Sequence, residues 1–445
     1  MSPSTHHRAD IVIVGAGIAG LSAASAAQAA GASVLVLERS DQLGGNAPIS
    51  TGYFCLVDTE AQRAAGHQDS VEQFIEDFLA QIERDRDTYA TVHHEDLARR
   101  FAEESGAAYE FLRELGLEFD KIIPRPLQHT VPRLLAVERT EAIREALARI
   151  DVPIHYATRA RRLIVEDGRV IGLHAQTDGG ETVEYRADRA VILAAGGYQG
   201  GAELRRRLQE GDWAEAPFAG LTTCTGDGHL MADAVGGDLI NMPMVPRIVR
   251  VASILLEDCI AVSPDGRRFH NEPGPYAYRL ERLKEIGGLG YYIADGVTLE
   301  SRREFVDQQP EPPLTADTLE ELAAGIGVPP AALTETVERW NDFLATDAHE
   351  DPDFERVILP SGRRPIVQPP FAALRMIPGV GSSVGGLATD TDLRVVDVFG
   401  STIPGLYAAG DCAGGVTVAK GLGGVHLGAG VTLGLAAGRA AAEDS

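Results

Sequence analysis

Cysteine is scarce in this chain of 445 residues: four, at Cys55, Cys224, Cys259 and Cys412, with no C-x-x-C pair among them. That argues against a dithiol redox centre, a zinc site on that motif, a haem held by C-x-x-C-H and an iron–sulfur cysteine set. It suits a reducing cytoplasm, the expected location. Positive charge is short as well. Lys and Arg number 40 against 65 Asp and Glu, a net charge of −25, which argues against nucleic acid or an anionic membrane surface as main partner. A local basic pocket for an anionic substrate stays open. No uninterrupted apolar run reaches the roughly 20 residues of a membrane span. The nearest, residues 425–442, is mostly glycine and alanine with His426 and Arg439 inside, and reads as a tightly packed helix. The polar start, MSPSTHHRAD, lacks the apolar core of a secretory signal. A soluble protein is expected, and no metal site.

What is present begins at residues 10–52. Residues 11–14 form a short apolar run, as a parallel strand buried on both faces requires. Gly15, Gly17 and Gly20 follow in G-x-G-x-x-G spacing, then an alanine-rich helix to about Ala30, stopped by Gly31. A second apolar strand, residues 33–37, ends in Glu38. Gly15 permits the tight turn, Gly17 lets the backbone approach a pyrophosphate, and Gly20 lets helix and strand pack closely. The helix start, with Ile18 and Ala19 in its first turn, offers free N–H groups and a positive end to phosphate. Glu38, followed by Arg39, is placed to accept hydrogen bonds from an adenosine ribose. Glycine spacing alone is weak; strand, helix and acid in the right order make it a dinucleotide site. Which dinucleotide it leaves open. Gly44-Gly45-Asn46, followed by Ala47, marks a second close backbone approach, as a flavin cofactor extended over the sheet would need.

Apolar spacing predicts helices at 71–84, 94–101, 107–115 and 140–149. Residues 121–139 read as a proline-stiffened polar loop carrying Arg125, His129, Arg133 and Arg139, a candidate for anion contact. A strand at 154–157 leads to a hairpin at 160–172 that turns at Asp167-Gly168, and a further strand pair extends to about Tyr185. A buried strand from 189 runs into Ala195, Gly196 and Gly197, where the main sheet resumes. Asp227, in Thr225-Gly-Asp-Gly228, stands near the start of a helix at 230–235. Beyond Met242 the alternation becomes irregular and tyrosine-rich up to Arg364. The predicted class is α/β: a Rossmann-like domain in two parts, 1–241 and 365–445, with an inserted α+β domain at 242–364.

Residues 405–411, Gly-Leu-Tyr-Ala-Ala-Gly-Asp, form a second anchor. A short strand delivers Gly410 and Asp411 at its end, where a carboxylate can hold a cofactor's sugar-alcohol hydroxyls. Gly423-Gly424 then open a helix whose first residues, Gly424, Val425 and Leu427 among them, can face negative charge developing on a flavin's pyrimidine edge. With these anchors, Gly44-Gly45-Asn46, Thr225–Gly228, Asp265-Gly-Arg-Arg-Phe269 with Asn271-Glu272, and Gly385-Gly386, the chain resembles the fumarate reductase/succinate dehydrogenase flavoprotein family over almost its whole length. That family includes the ketosteroid dehydrogenases. The resemblance implies FAD in the Rossmann-like domain and a capping domain closing over the flavin. It implies a hydride moved between flavin N5 and a carbon–carbon bond activated by a carbonyl or carboxylate. Asp411 would sit on the ribityl chain, Glu38 on the adenosine ribose, and Ser50, Thr51 and Gly52 beside the ring, with Ala160, Ala195, Gly196 and Asp227 also at the cofactor. No histidine follows Asn46 closely, so FAD is expected to be non-covalent.

Departures from the family matter too. Its His-Pro-Thr stretch is missing after Met242, its proton-donating arginine falls at Leu255, its histidine before the Gly-Gly turn at Gly381 or Ser382, and its last arginine at Gly421. Fumarate and succinate are therefore not the expected substrates. The final helix is closer to that of ketosteroid dehydrogenases, although their nearby tyrosine falls at Lys420. Proton-transfer candidates are Tyr53, Lys420, His426, Tyr276 and Tyr278; substrate-anchoring candidates are His129, Arg133, Arg247 and Arg250. The expected activity is desaturation of a cyclic ketone or ketosteroid-like substrate, with ene-reduction of an α,β-unsaturated acid or ketone as alternative. A nicotinamide-dependent reductase and a flavin-binding protein without catalysis are the rivals. The electron acceptor is left open.

Overall fold

The computed structural model describes the chain except residues 1–5, 86–90, 120, 126–127, 138, 210, 219, 245–246, 251–257, 275, 302, 308–310, 359–363, 418–420 and 445. It falls into two compact units: Met1–Pro246 with Gly381–Ser445, and Arg247–Val380.

The first unit is organised on β1 (His6–Val14), α1 (Ile18–Ala29) and β2 (Val34–Leu37). β1 pairs in parallel with β2 on one side and with Thr182–Leu193 on the other. The sheet continues through Ile154–His155 at one edge and through Thr402–Ala408 and Arg394–Val396 at the other. Val12 and Val14 join a core with Leu163, Leu173 and Met231 on one face. Ile11 and Ile13 point the opposite way and are fully buried. Burial on both faces is why β1 is an unbroken apolar run.

α1 and the C-terminal helix, Val425–Glu443, touch through their backbones. A Cβ added to Gly434 would lie 2.6 Å from the Ala19 carbonyl oxygen, and one on Gly438 would lie 2.1 Å from that of Ala23. Residue numbers rise together along the two helices, so they are parallel and both N-termini face the same way. Gly430 lies against Ile18, at the start of α1, whereas the C-terminal helix begins earlier, at Val425. The backbone contacts set Leu433 level with Ile18, so at 1.5 Å per residue the C-terminal helix projects about 12 Å beyond α1. Close approach demands Gly and Ala, which accounts for the apolar small-residue run. No helix among the described residues is long and apolar enough to cross a membrane.

Several elements differ from expectation. Thr182–Leu193 is one continuous strand: its first half pairs antiparallel with Arg169–Thr177, while its other edge follows β1 from Glu184 to Leu193. Between 185 and 189 the strand does not end but shifts register against β1, Ala9 facing Ala187 and Ile11 facing Ala190. Residues 94–101 and 107–115 belong to one helix, Glu95–Glu114. Gly106 costs about 1 kcal/mol there, and the face of Leu97, Phe101, Ala108 and Leu112 stays buried past it. The expected loop at 121–139 contains the strands Lys121–Ile123 and Leu134–Ala136, which form a small sheet with Tyr53–Cys55. Three-residue strands are too short to display a period.

The second unit has a four-stranded antiparallel sheet in the order Ile260–Val262, Tyr291–Ala294, Phe371–Arg375, Leu314–Ala316. A separate ribbon pairs Arg247–Arg250 with Ile377–Val380. The helices Leu319–Ile326 and Pro330–Leu344 cover the sheet through Leu322, Leu333, Val337 and Trp340. Its limits, 247 and 380, differ from the expected 242 and 364 because residues 371–380 supply strands to both of its sheets.

The Asp265–Phe269 and Asn271-Glu272 stretch is a structural staple of this unit. Glu272 is fully buried and accepts from Arg268 Nη2 at 2.9 Å, Arg356 Nη1 at 2.9 Å and the Ala261 N–H at 2.9 Å. Both guanidiniums lie over the Trp340 ring, at 4.6 and 4.7 Å. Burial pushes the Glu272 carboxyl up, but Arg268 and Arg356 outweigh it and hold it at about 2. A depressed folded value stabilises above the ordinary 4.5 and loses that contribution as pH falls toward about 2. Glu272→Gln should therefore lower stability at neutral pH by about 3–5 kcal/mol, as breaking a buried pair does. It should also flatten the loss of stability between pH 4.5 and 2. Thermal denaturation across a pH series reads both effects.

Candidate functional site

The glycine turn follows the carboxyl end of β1. Gly15 has φ +107°, and a Cβ there would lie 2.4 Å from the Ala194 carbonyl oxygen, so no other residue fits. Glu38, at the end of β2, braces the turn: its Oε2 accepts the Ala16 N–H at 2.9 Å and its Oε1 the Ser40 N–H at 2.8 Å. The chain returns at Gly44, whose N–H donates to the Ala16 carbonyl at 2.9 Å. Gly44 bridges to Gly17. The N–H groups of the first turn of α1, through Ile18, Ala19 and Gly20, have no acceptor within the helix. A Cβ on Gly17 would meet nothing within 4 Å. The Cβ direction of Gly17, beside this positive helix end, is therefore open, which suits close approach of a pyrophosphate.

Ala195 and Gly196 lie against the same turn, the Ala195 Cα being 3.1 Å from a Cβ built on Gly15. Gly410 approaches Ala19 of α1 in the same way. That contact brings Asp411 beside the two helix starts. Asp411 Oδ1 accepts from His426 Nδ1 at 2.8 Å, and among the described residues its Oδ2 makes no hydrogen bond, leaving it for a hydroxyl donor. Burial lowers the His426 pKa, but the Asp411 charge and hydrogen bond outweigh burial and raise it above 6.5. The pair thus stabilises the fold below pH 6.5 and loses that contribution as pH rises through the folded value.

Gly424 caps the C-terminal helix in the left-handed conformation, and its carbonyl accepts the Cys55 N–H at 3.0 Å. Tyr53, at the head of that strand, is half-buried and carries the Arg125 guanidinium 5.8 Å from its ring centroid. His129 Nε2 lies 3.1 Å from the Gly423 carbonyl, and Gln128 Oε1 accepts the Gly423 N–H at 3.2 Å. Val425 and Leu427 are buried in the helix start. Ser50 Oγ donates to the Ala47 carbonyl at 2.7 Å and accepts the Gly52 N–H at 3.1 Å, shaping the Ser50–Thr51–Gly52 turn.

Other expected site residues are committed elsewhere. Arg133 is fully buried, held by Asp69 at 2.7 Å and by Asp77. It is thereby withdrawn from substrate anchoring. Burial, with Arg133 nearby, pushes His129 down to about 4, so it braces the Gly423 turn as a neutral ring. Asp227 is gripped by both arms of Arg159 at 2.7 Å, with Arg39 at 3.4 Å. Arg39 also donates to the Thr223 carbonyl at 2.7 Å and Thr225 Oγ1 at 2.8 Å, so it is not set out to read an added phosphate. The Asn46 side chain bonds Cys224 Sγ at 3.2 Å and the Leu221 N–H at 2.8 Å. The Ala160 side chain lies in the core, which leaves only its backbone for a ligand. Burial pushes Cys224 and Cys412 up to about 12, so neither offers a thiolate.

Arg247 and Tyr278 belong to the second unit, where the Asn271 N–H meets the Tyr278 hydroxyl at 3.4 Å. Lys420, Leu255 and the Tyr276 and Arg250 side chains lie outside the described residues. Sequence reasoning missed Arg159 and His229. His229 is fully buried beside Asp411, and burial holds it at about 4. Arg159 stands in no motif, and His229, next to Thr225–Gly228, carries no local sign of its contact with Asp411; only tertiary placement reveals them.

The profile of the FAD binding domain family matches residues 10–427. The chain belongs to that family. FAD is its cofactor, as the open helix start at Gly17 and the unspent Asp411 oxygen allow. The chain is 30% identical to a urocanate reductase of Eggerthella lenta, over 91% of this chain and 70% of that one. It is 28% identical to a cytochrome-type fumarate reductase of Shewanella frigidimarina, over 100% of this chain and 79% of that one. Among solved structures it is similar to a 3-ketosteroid Δ4-(5α)-dehydrogenase of Rhodococcus jostii, with a TM-score of 0.66 and 26% identity, covering 100% of this chain and 99% of that one. The fold is α/β, a Rossmann-like FAD-binding domain with an inserted α+β capping-type unit.

Gly17 offers a clean test. It is extended, at φ −78°, and its Cβ direction is open. Gly17→Val should leave the melting temperature within a few degrees of wild type while weakening FAD binding at least tenfold, read by flavin fluorescence titration.

Proposed function

We propose that this chain is an FAD-dependent oxidoreductase acting on a carbon–carbon bond α,β to a carbonyl or carboxylate, with desaturation of a cyclic ketone as its direction. Bound FAD supplies the hydride acceptor at N5. One observation carries the reading: in one unit, the open turn at Gly17, the acid Glu38 and the projecting helix start with Asp411 converge. Glu38 and the turn would hold the adenosine and pyrophosphate half. Asp411, through Oδ2, would hold the ribityl chain, and the helix start at Gly424, Val425 and Leu427 would face the pyrimidine edge. The cofactor is non-covalent, and the protein works in the cytoplasm.

Tyr53 is our proton-transfer residue. Its strand is tied to Gly424, and the Arg125 guanidinium lies 5.8 Å from its ring centroid. The ketone is favoured over a dicarboxylate because the family's dicarboxylate-handling positions are replaced and Arg133 is spent inside the fold. A second reading, reduction of an α,β-unsaturated acid, is supported by the likeness to urocanate reductase.

Anaerobic mixing of the flavin-loaded protein with cyclic ketones, enones and unsaturated carboxylates tests both. Bleaching of the flavin by a saturated ketone supports desaturation. Recovery of prereduced flavin by an unsaturated acid alone supports the second reading, and no response to any compound overturns both. On the responsive compound, Tyr53→Phe should slow flavin turnover about 10²-fold or more with the bound-flavin spectrum unchanged.

A further inference from the structure

The start of the C-terminal helix carries an anomaly. His426 is the second helical residue, next to the positive helix end, where a cationic ring is disfavoured. The site nonetheless sets its Nδ1 at 2.8 Å from Asp411 Oδ1. That bond uses one oxygen of the carboxylate placed for the ribityl chain. It also fixes the rotamer of Asp411 and aims Oδ2 away from the ring.

We propose that His426 is a positioning and electrostatic residue of the flavin site: it orients Asp411 toward the ribityl chain, and its positive charge raises the affinity of the bound flavin for electrons. The inference rests on the FAD reading above. The helix start is where negative charge develops on the pyrimidine edge when the flavin is reduced, so a cation one residue in lowers the free energy of the reduced form. Two-electron reduction by dithionite puts one proton on N5. Where His426 starts neutral, reduction draws a second proton onto its ring.

Among the described residues, the surroundings contain few competing charges. Asp411 is the carboxylate facing the ring. His229 lies beyond it, held neutral by burial. From the small sheet come Tyr53, with Arg125 near its ring, and Cys55, whose thiol burial pushes up to about 12. From the 121–139 segment comes His129, likewise neutral near pH 7. α1 has no ionisable side chain, and the Glu104–Arg439 pair lies toward the other end of the C-terminal helix.

The test is the midpoint potential of the bound flavin against pH, from dithionite titration with a reference dye. In the wild type the potential should fall more steeply with pH above the His426 pKa than below it, by one extra proton per two electrons. His426→Gln, which keeps a hydrogen-bond donor, should bind FAD, show a lower potential at pH 6 and lack the extra slope. His426→Ala should in addition weaken FAD binding. A wild-type slope without that change, or a Gln variant with wild-type potential and slope, overturns the inference while leaving FAD binding intact. A wild-type protein that takes up no FAD overturns the underlying reading instead.

Discussion

Two parallel helices in backbone contact frame the proposed cofactor site. α1 and the C-terminal helix approach through Gly434 and Gly438 until their carbonyl and Cα atoms touch, and such contact fixes both register and direction. Parallel helices carry like-signed dipoles side by side, an arrangement that is unfavourable unless negative charge sits at both N-termini. A dinucleotide with a pyrophosphate at its centre and an electron-accepting ring at one end would meet that need. The stagger of about 12 Å between the two starts would separate the two duties. Glycine and alanine at the contact follow from this geometry, and bulkier residues would push the second helix start out of place.

Around that pair, carboxylates and guanidiniums are used mainly to hold loops. Glu38 ties the glycine turn, Asp227 is locked by Arg159 and Arg39, and Arg133 is sealed between Asp69 and Asp77. The same economy governs the second unit, where Glu272 gathers Arg268 and Arg356 over Trp340. Charged residues in recurring motifs of this chain are thus often structural. Asp411 differs: one oxygen is anchored by His426, and among the described residues the other makes no hydrogen bond.

The elements that frame the proposed cofactor end were legible because each leaves a local trace. Apolar strand, glycine spacing, helix and terminal acid are contiguous, and Gly410-Asp411 repeats the strand-to-acid signal near the other end. What failed was long-range or short-range in an unreadable way. Thr182–Leu193 hides its two roles because both edges of one strand are used. The Lys121–Ile123 and Leu134–Ala136 strands are too short for a period. Arg133 looked like an anion anchor because nothing in its loop announces Asp69 and Asp77, which come from residues far upstream. The limits of the second unit slipped for the same reason: strands at 371–380 pair with partners that only the fold brings near.

The central claim is that one unit of this chain holds a complete FAD across two staggered helix starts. Flavin content of the purified protein tests it most directly, by acid precipitation and chromatography of the supernatant. The account predicts close to one intact FAD released per chain. A colourless protein that releases no flavin, refuses added FAD and binds NADH saturably would contradict it.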